Sequence, residues 1–191
     1  MIEKEIFYLN KEKNKIDYIK EYDKETQKLF KIFYYCFDGK TIMFINEYDE
    51  ETQMLIKETN YYFMKEKIHY ISKYEYNKKL CINVKIKDIF FLLDGKTINY
   101  IKEYDKEEQR LIRYIKYYTN GQIECIQEYL TPETTCFPNT EPQILIKETF
   151  YRDDGKIIHL IKEYDKGDRG KDTLIKIIDE KVCCQCLLKY S

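Results

Sequence analysis

Isoleucine and tyrosine recur along the chain in one pattern, an Ile, a second Ile three residues later and a Tyr three residues after that. The first copy is Ile16, Ile19 and Tyr22. Five more copies follow, at Ile42, Ile45 and Tyr48; Ile68, Ile71 and Tyr74; Ile98, Ile101 and Tyr104; Ile123, Ile126 and Tyr129; and Ile158, Ile161 and Tyr164. Such a recurring pattern indicates a repeat architecture, in which each unit buries its apolar side chains against its neighbours.

Two kinds of segment alternate within each repeat, and both have the composition of β-strands. The first kind carries the Ile and Tyr pattern and occupies residues 15–23, 41–49, 67–75, 97–105, 122–130 and 157–165. The second kind begins at Leu29, Leu55, Leu111, Leu145 and Leu174, and Leu80 begins a diverged copy. Dense Ile and Tyr between regularly spaced turn residues favours strand over helix.

Turn signals separate the segments. Asp-Gly or Asn-Gly pairs precede the first kind of segment, beginning at Asp38, Asp94, Asn120 and Asp154, and such pairs accept the positive φ of tight hairpin turns. A polar connection that opens with an Asp, such as residues 23–28, follows the same segment. The repeating unit is therefore a β-hairpin.

The sequence thus predicts an all-β fold, an antiparallel meander of about six tandem hairpin repeats that forms an elongated, twisted or rolled sheet. We expect one domain over 1–191, with a half-repeat at 1–14 and a tail at 183–191. The repeats are expected at about 15–39, 40–65, 66–95, 96–121, 122–155 and 156–182. The third repeat is extended before Asp94, and the fifth carries an insertion at 131–142 with all 3 prolines.

Composition narrows the classes of function. Basic and acidic residues nearly cancel, 33 against 34, which disfavours a nucleic-acid partner. The 7 cysteines are odd in number and share no repeat position, so reduced thiols are expected. The chain shows neither a signal peptide nor an apolar stretch of about 20 residues. We therefore expect a soluble protein of a bacterial cytoplasm or, if exported, of a host cell.

The repeat resembles a known family at two segments, 94–98 (Asp-Gly-Lys-Thr-Ile) and 101–105 (Ile-Lys-Glu-Tyr-Asp). Copies at 38–57 and 154–165 match as well. These segments resemble the uncharacterised repeat family of phytoplasmas. The resemblance implies an intracellular bacterial pathogen of plants as the source, and it brings no activity or catalytic residue. The hairpin pattern also looks like tyrosine-aspartate and membrane-occupation repeats, which is an analogy of fold.

Residues with catalytic or metal-binding chemistry are few. His69 and His159 occupy one repeat position that also holds Asp, Met, Asn and Glu, so a solvated position is expected rather than a catalytic base. A repeated Glu position is expected to pair with Lys across strands. Three cysteines near the end, Cys183, Cys184 and Cys186, lack the fourth ligand of a structural zinc site. We expect no enzyme, no cofactor and no metal.

The function that the pattern favours is a non-enzymatic module for protein–protein interaction, and a pathogen effector or host-interaction protein if it is exported. Tyr suits interfaces, and the insertion presents an aromatic side chain. The candidate partner-binding residues are Tyr104, Tyr129, Phe137, Pro138 and Tyr164. The alternatives are a membrane-surface or lipid-binding repeat protein and, less favoured, a small hydrolase.

Overall fold

The computed structural model describes residues 1–63, 66–130, 144–165 and 173–179. The chain forms two compact units, unit 1 over Met1–Thr97 and unit 2 over Ile98–Ser191. The division lies two residues into the fourth repeat that the sequence predicts, 96–121.

Unit 1 is an antiparallel meander in which each strand pairs with the next along the chain. Its strands are β1 (Ile2–Tyr8), β2 (Ile16–Asp23), β3 (Leu29–Tyr35), β4 (Ile42–Tyr48), β5 (Leu55–Tyr61), β6 (Ile68–Asn77) and β7 (Ile82–Phe91). Unit 2 continues the same pattern of pairing. Its strands are β8 (Ile98–Tyr104), β9 (Leu111–Tyr117), β10 (Ile123–Leu130), β11 (Ile144–Tyr151), β12 (Ile158–Asp165) and β13 (Thr173–Asp179). The predicted all-β antiparallel meander is confirmed.

The strand starts follow the sequence pattern closely, with one clear exception. Strands of the first kind all begin at the first Ile of their copy. The predicted start at Leu80 is wrong, because the side chain of Asn77 accepts hydrogen bonds from the backbone N–H groups of Lys79 and Leu80 and so holds them in a turn. The extension of the third repeat consists of longer strands, since β6 and β7 have 10 residues each.

One side of each sheet, the ionic face, carries a row of alternating charges. In unit 1 the row crosses β1 to β5 at Lys4, Glu21, Lys31, Glu47 and Lys57. In unit 2 it crosses β8 to β12 at Glu103, Arg113, Glu128, Lys147 and Glu163. The Nζ of Lys57 lies 2.7 Å from an Oε of Glu47, and the Nζ of Lys4 lies 2.6 Å from an Oε of Glu21. The predicted cross-strand role of the Glu position is confirmed.

A row of apolar side chains runs beside the charges on the same face and supplies much of the core. Ile101, Ile115 and Ile126 are paired in register across β8, β9 and β10, and all three are buried. Thr59 and Thr149 occupy this row on β5 and β11 and are buried too. The core is therefore made of cross-strand neighbours, as expected for stacked hairpins.

Register shifts explain the variable repeat position that holds both histidines. Next to the turn, five of the six first-kind strands carry one residue that has no partner in the register with the preceding strand, which is a β-bulge. These bulge residues are Asp17, Met43, His69, Glu124 and His159. The position tolerates many residue types because no residue of the neighbouring strand lies directly opposite it in the hydrogen-bonded ladder. Both histidines are half-buried, and the ring centroid of His69 lies 4.4 Å from that of Tyr62.

The turns of each unit lie on two rims of its sheet. The rim that carries the Asp-Gly and Asn-Gly pairs is called the glycine rim below, and the other is called the aspartate rim. In unit 1 the glycine rim holds residues 9–15, 36–41, 62–63, 66–67 and 92–97, and in unit 2 it holds 118–122 and 152–157. In the part of the chain that the structure describes, no helix is long and apolar enough to cross a bilayer.

Candidate functional site

The aromatic face of unit 1, opposite its ionic face, carries a row of rings across β1 to β4. Phe7, Tyr18, Tyr34 and Phe44 are paired in register. Their consecutive ring centroids lie 4.3, 5.8 and 4.2 Å apart, and all four side chains are half-buried. Rings held by the sheet present apolar area without losing much side-chain freedom on binding. We call these four residues the ring row.

A lysine lies against the ring row. The Nζ of Lys20 is 5.1 Å from the ring centroid of Phe7 and 5.7 Å from that of Tyr18, which is within the range of a cation–π interaction. Burial, as the largest cause, raises the pKa of the Tyr34 hydroxyl above its ordinary value of 10.0. Tyr34 is therefore neutral at physiological pH, and the row combines apolar rings with one cation.

Two of the predicted tyrosines belong to one hydrogen-bond chain on the aromatic face of unit 2. The hydroxyl of Tyr129 donates to Oε1 of Gln127 at 2.9 Å. Nε2 of Gln127 donates to Oε1 of Glu148 at 2.8 Å, and the hydroxyl of Tyr164 donates to Oε2 of Glu148 at 2.5 Å. The structure thus brings Tyr129 and Tyr164 together through Glu148, and it uses their hydroxyls within the sheet.

The other predicted partner-binding residues are placed differently. Tyr104 is half-buried at the end of β8. Phe137 and Pro138 lie outside the described residues, as do the three cysteines at 183, 184 and 186.

A polar cluster in the third repeat has no counterpart in the sequence-based predictions. The hydroxyl of Ser72 on β6 donates to a carboxylate oxygen of Asp88 on β7 at 2.5 Å. The Nζ of Lys85 lies 3.3 Å from the same carboxylate oxygen. Ser72 is 0% exposed and Asp88 is 5% exposed, so a substrate has no route to the hydroxyl, and the two residues form a structural pair. The sequence signal is the replacement of the usual Lys-Glu of the repeat by Ser72 and Lys73.

The glycine rim of unit 1 exposes large apolar side chains. Phe37 is 87% exposed, Phe63 is 68% exposed and Leu93 is 63% exposed. Leu9, Met43, Phe37 and Phe63, with Asp17, Tyr35 and Cys36, line a cleft of about 190 Å³. The rim therefore offers an apolar surface that the sequence analysis did not single out.

The glycine rim of unit 2 carries a polar cleft instead. Its volume is about 410 Å³, and its lining is Tyr118, Tyr151, Arg152, Asp153, Asp154 and His159. The Tyr118 hydroxyl donates to the backbone carbonyl of Tyr151 at 3.0 Å. The Asp154 carboxylate accepts the backbone N–H groups of Lys156 and Ile157. The Tyr118 hydroxyl and the Asp154 carboxylate, which line the cleft, are thus already engaged in hydrogen bonds to the backbone of this rim.

Metal and thiol chemistry are limited in the part of the chain that the structure describes. No group of three or more His, Cys, Asp and Glu residues there could hold a metal ion. Cys36, Cys81 and Cys125 are free thiols. Burial raises the pKa values of the Cys36 and Cys125 thiols above their ordinary value of 9.0, which makes both poor nucleophiles.

The family model for proteins of unknown function named DUF2963 matches residues 10–60, 61–113, 91–136 and 138–179. The chain belongs to this family. The first match, 10–60, spans the two hairpins from β2 to β5, in keeping with the repeats. The repeat family that the sequence suggested is therefore confirmed at the level of an uncharacterised repeat family. No curated protein matches the chain.

Solved structures resemble the chain only weakly. One is a protein of unknown function from Bacteroides fragilis, with 9% identity, a TM-score of 0.25 and 94% of each chain covered. Two others are the complexes TcdB2-TccC3-Cdc42, with 13% identity and a TM-score of 0.21, and TcdB2-TccC3-TEV, with 11% identity and a TM-score of 0.19. They match 91% and 94% of this chain but only 9% and 10% of their own. At these scores the similarity carries no functional argument.

Proposed function

We propose that this DUF2963 member is a non-enzymatic repeat module that binds a protein partner through the aromatic face of its sheet. The observation that carries the proposal is the ring row of unit 1. Four half-buried rings lie in register with a lysine against them, and Tyr and Phe in such an arrangement are typical of the centres of protein interfaces.

The partner chemistry follows from this surface. Tyr hydroxyls and the ammonium group of Lys20 lie beside apolar rings, so a partner surface that is apolar at its centre and carries a carboxylate would match them. If the protein is exported by a pathogen, we expect the partner to be a host protein and the role to be that of an effector. A hydrolase has less support, because the Ser72 hydroxyl is buried and bound to Asp88.

The test uses two variants of one strand. Tyr34→Thr removes a ring of the aromatic face, whereas Phe33→Thr removes a half-buried ring from the ionic face of the same strand. Thr preserves strand propensity in both. A partner is first isolated by affinity capture with cross-linking, purified, and its Kd measured by calorimetry against each folded variant. We expect Tyr34→Thr to weaken binding about tenfold or more and Phe33→Thr to change it about twofold or less.

Equal losses for the two variants, or none for Tyr34→Thr, would contradict binding by the aromatic face. Turnover of any substrate in a broad hydrolase screen would contradict the non-enzymatic role.

A third variant tests the predicted loop, with residues 131–142 replaced by the 23–28 turn of the first repeat. Unchanged affinity in this folded variant would remove Phe137 and Pro138 from the partner surface.

A further inference from the structure

We propose that the glycine rim of unit 1 docks onto an anionic lipid surface, with Phe37 and Phe63 entering the interfacial layer. This inference goes beyond the proposed protein partner and rests on a different part of the molecule. It concerns the tips of the turns, whereas the partner surface is the aromatic face of the sheet.

The exposed apolar residues occupy equivalent positions in successive turns. Each turn is closed by a backbone hydrogen bond from an N–H at its start to a carbonyl at its end: Cys36 to Thr41, Tyr62 to Lys67 and Leu92 to Thr97, all at 2.8 Å. The exposed apolar residue is the one that directly follows the N–H donor. The tips Phe37, Phe63 and Leu93 are therefore two strands apart along one rim, which is about 10 Å from tip to tip. They form a regular series rather than scattered exposed residues.

The turns themselves do not require these apolar side chains. The equivalent tips in unit 2 are Thr119 and Asp153, which follow Tyr118 and Arg152 at the closing bonds. Both are exposed. A turn that accepts Thr or Asp at its tip gains nothing in folding from an exposed Phe, so the Phe side chains point to a contact outside the chain.

Two of the tips also border a common apolar cleft. Phe37 and Phe63 line the 190 Å³ cleft together with Leu9 and Met43, both of which are 43% exposed. Asp17 is the charged member of the lining. The side chains of three turns thus combine into one apolar surface at the rim.

Cations flank the apolar tips. Lys40, Lys67 and Lys96 are exposed within the same three turns. Two of the three carboxylates in these turns are held by hydrogen bonds: Asp38 accepts two backbone N–H groups and the Thr41 hydroxyl, and Asp94 is bound in the same way by its turn. The third carboxylate, Glu66, is exposed, as are the three lysines.

A lipid interface accepts this combination better than a folded protein does. Separate apolar tips can enter the headgroup region one by one without a matching pocket, and lysines beside them are attracted to anionic headgroups. A protein partner would need complementary cavities at about 10 Å intervals. The spacing of the tips and the flanking lysines together favour the anionic bilayer surface.

The first experiment is co-sedimentation of the full chain with vesicles. One set contains phosphatidylcholine alone, and the other contains phosphatidylcholine with about one third phosphatidylserine, each at low and high salt. We expect binding to the anionic vesicles that weakens at high salt. The double variant Phe37→Ser/Phe63→Ser should lower the partition coefficient about tenfold or more. The matched control is Leu80→Ser, since Leu80 is 44% exposed on the aspartate rim, and it should change binding about twofold or less.

The second experiment measures insertion directly. The chain contains 0 Trp, so Phe37→Trp introduces a single indole whose emission reports on its surroundings. We expect a blue shift with anionic vesicles and quenching by brominated lipids, and neither effect for Thr119→Trp at the equivalent tip of unit 2. Far-ultraviolet circular dichroism confirms that each variant is folded.

Three results would overturn the proposal. In the first, the double variant binds vesicles as strongly as the original protein. In the second, Phe37→Trp sediments with vesicles but its indole emission does not shift. In the third, none of the proteins sediments with either vesicle set. A loss of affinity for a purified protein partner in the double variant, with lipid binding intact, would assign the rim to that partner instead. None of these results depends on the ring row, so the proposed protein partner is tested separately.

Discussion

Asp-Gly or Asn-Gly turns occur on the glycine rims of both units, but the residues at their tips differ. Positive φ angles occur at the same glycine in each, 67° at Gly39 and 70° at Gly95 in unit 1, and 83° at Gly121 and 64° at Gly155 in unit 2. At these glycine-containing turns the tips are Phe37 and Leu93 in unit 1 and Thr119 and Asp153 in unit 2. The positive φ of these turns therefore requires the Gly of the Asp-Gly or Asn-Gly pair, whereas the turn backbone does not require a particular residue at the tip.

A similar contrast separates the interiors of the units. Unit 2 buries three isoleucines in register on its ionic face, whereas unit 1 buries a Ser and an Asp on its aromatic face between β6 and β7. A row of aliphatic side chains gains stability from area removed from water. A buried hydroxyl and carboxylate are tolerated only while they have hydrogen-bond partners; here they bond to each other, and the carboxylate also lies 3.3 Å from the Nζ of Lys85. The two units should therefore respond differently to truncation.

The largest expected effect is on the buried row of unit 2. Ile101→Ala removes a side chain that is 8% exposed and should lower the free energy of unfolding by about 2–5 kcal/mol. Ile45→Ala, at the same repeat position in unit 1 but half-buried, should cost roughly half as much. Urea titration followed by circular dichroism measures both. Equal losses would show that the burial contrast between the units has no energetic weight.

The next effect compares two glycines. Gly39→Ala would place a Cβ 2.6 Å from the Cα of Lys15, whereas a Cβ at Gly121 meets nothing within 4 Å. Both substitutions strain a left-handed residue by about 1–2 kcal/mol, and only Gly39→Ala adds a backbone clash. We expect Gly39→Ala to lower the free energy of unfolding by about 2 kcal/mol or more and Gly121→Ala by about 1 kcal/mol. Equal melting temperatures of the two variants would argue against close packing between neighbouring turns in unit 1.

The buried polar pair of unit 1 should show coupling. Ser72→Ala leaves the Asp88 carboxylate without its 2.5 Å donor and should cost about 1–3 kcal/mol. The double variant Ser72→Ala/Asp88→Ala should recover part of that loss, because no buried carboxylate then lacks its partner. A double-mutant cycle from urea titrations measures the coupling. Strictly additive losses would mean that the two groups do not stabilise each other.

The smallest effect is a dependence on pH at the turns of unit 1. Hydrogen bonds, first from the Thr41 hydroxyl and then from backbone N–H groups, lower the pKa of Asp38 from 3.8 to about 2. Since the folded pKa is depressed, the turn's contribution is present above pH 3.8 and is lost as the pH falls through about 2. Thr41→Val should move this loss to higher pH, as followed by the Asp38 carboxyl resonance and by Tm.

Unit 2 supplies the control for that titration. Backbone N–H groups also lower the pKa of Asp154, but Ile157 stands where unit 1 has a threonine. Ile157→Thr should therefore lower the pKa of Asp154 further. No change in either variant would remove the threonine hydroxyl as the cause of the difference.

The strand pattern was largely predictable because its causes are local. Ile and Tyr spacing located all six first-kind strands, and the paired turn residues located the rims. The start of β7 at Ile82 was not predictable from Leu80, since it depends on the hydrogen bonds by which the Asn77 side chain holds the backbone N–H groups of Lys79 and Leu80 in the turn. The ring row and the Tyr129–Glu148–Tyr164 chain depend on which residues face each other across strands.

The sequence by itself determined the repeat, the kinds of strand and the residues of the two turns, because alternation and backbone dihedral preferences act within a few residues. Only the tertiary structure decided the cross-strand partners. Register placed the histidines on bulges, joined Ser72 to Asp88 and gathered Phe37 and Phe63 around one cleft. These contacts join residues that are far apart in the chain, and the hydrogen-bond ladder that aligns them forms only when the strands pair.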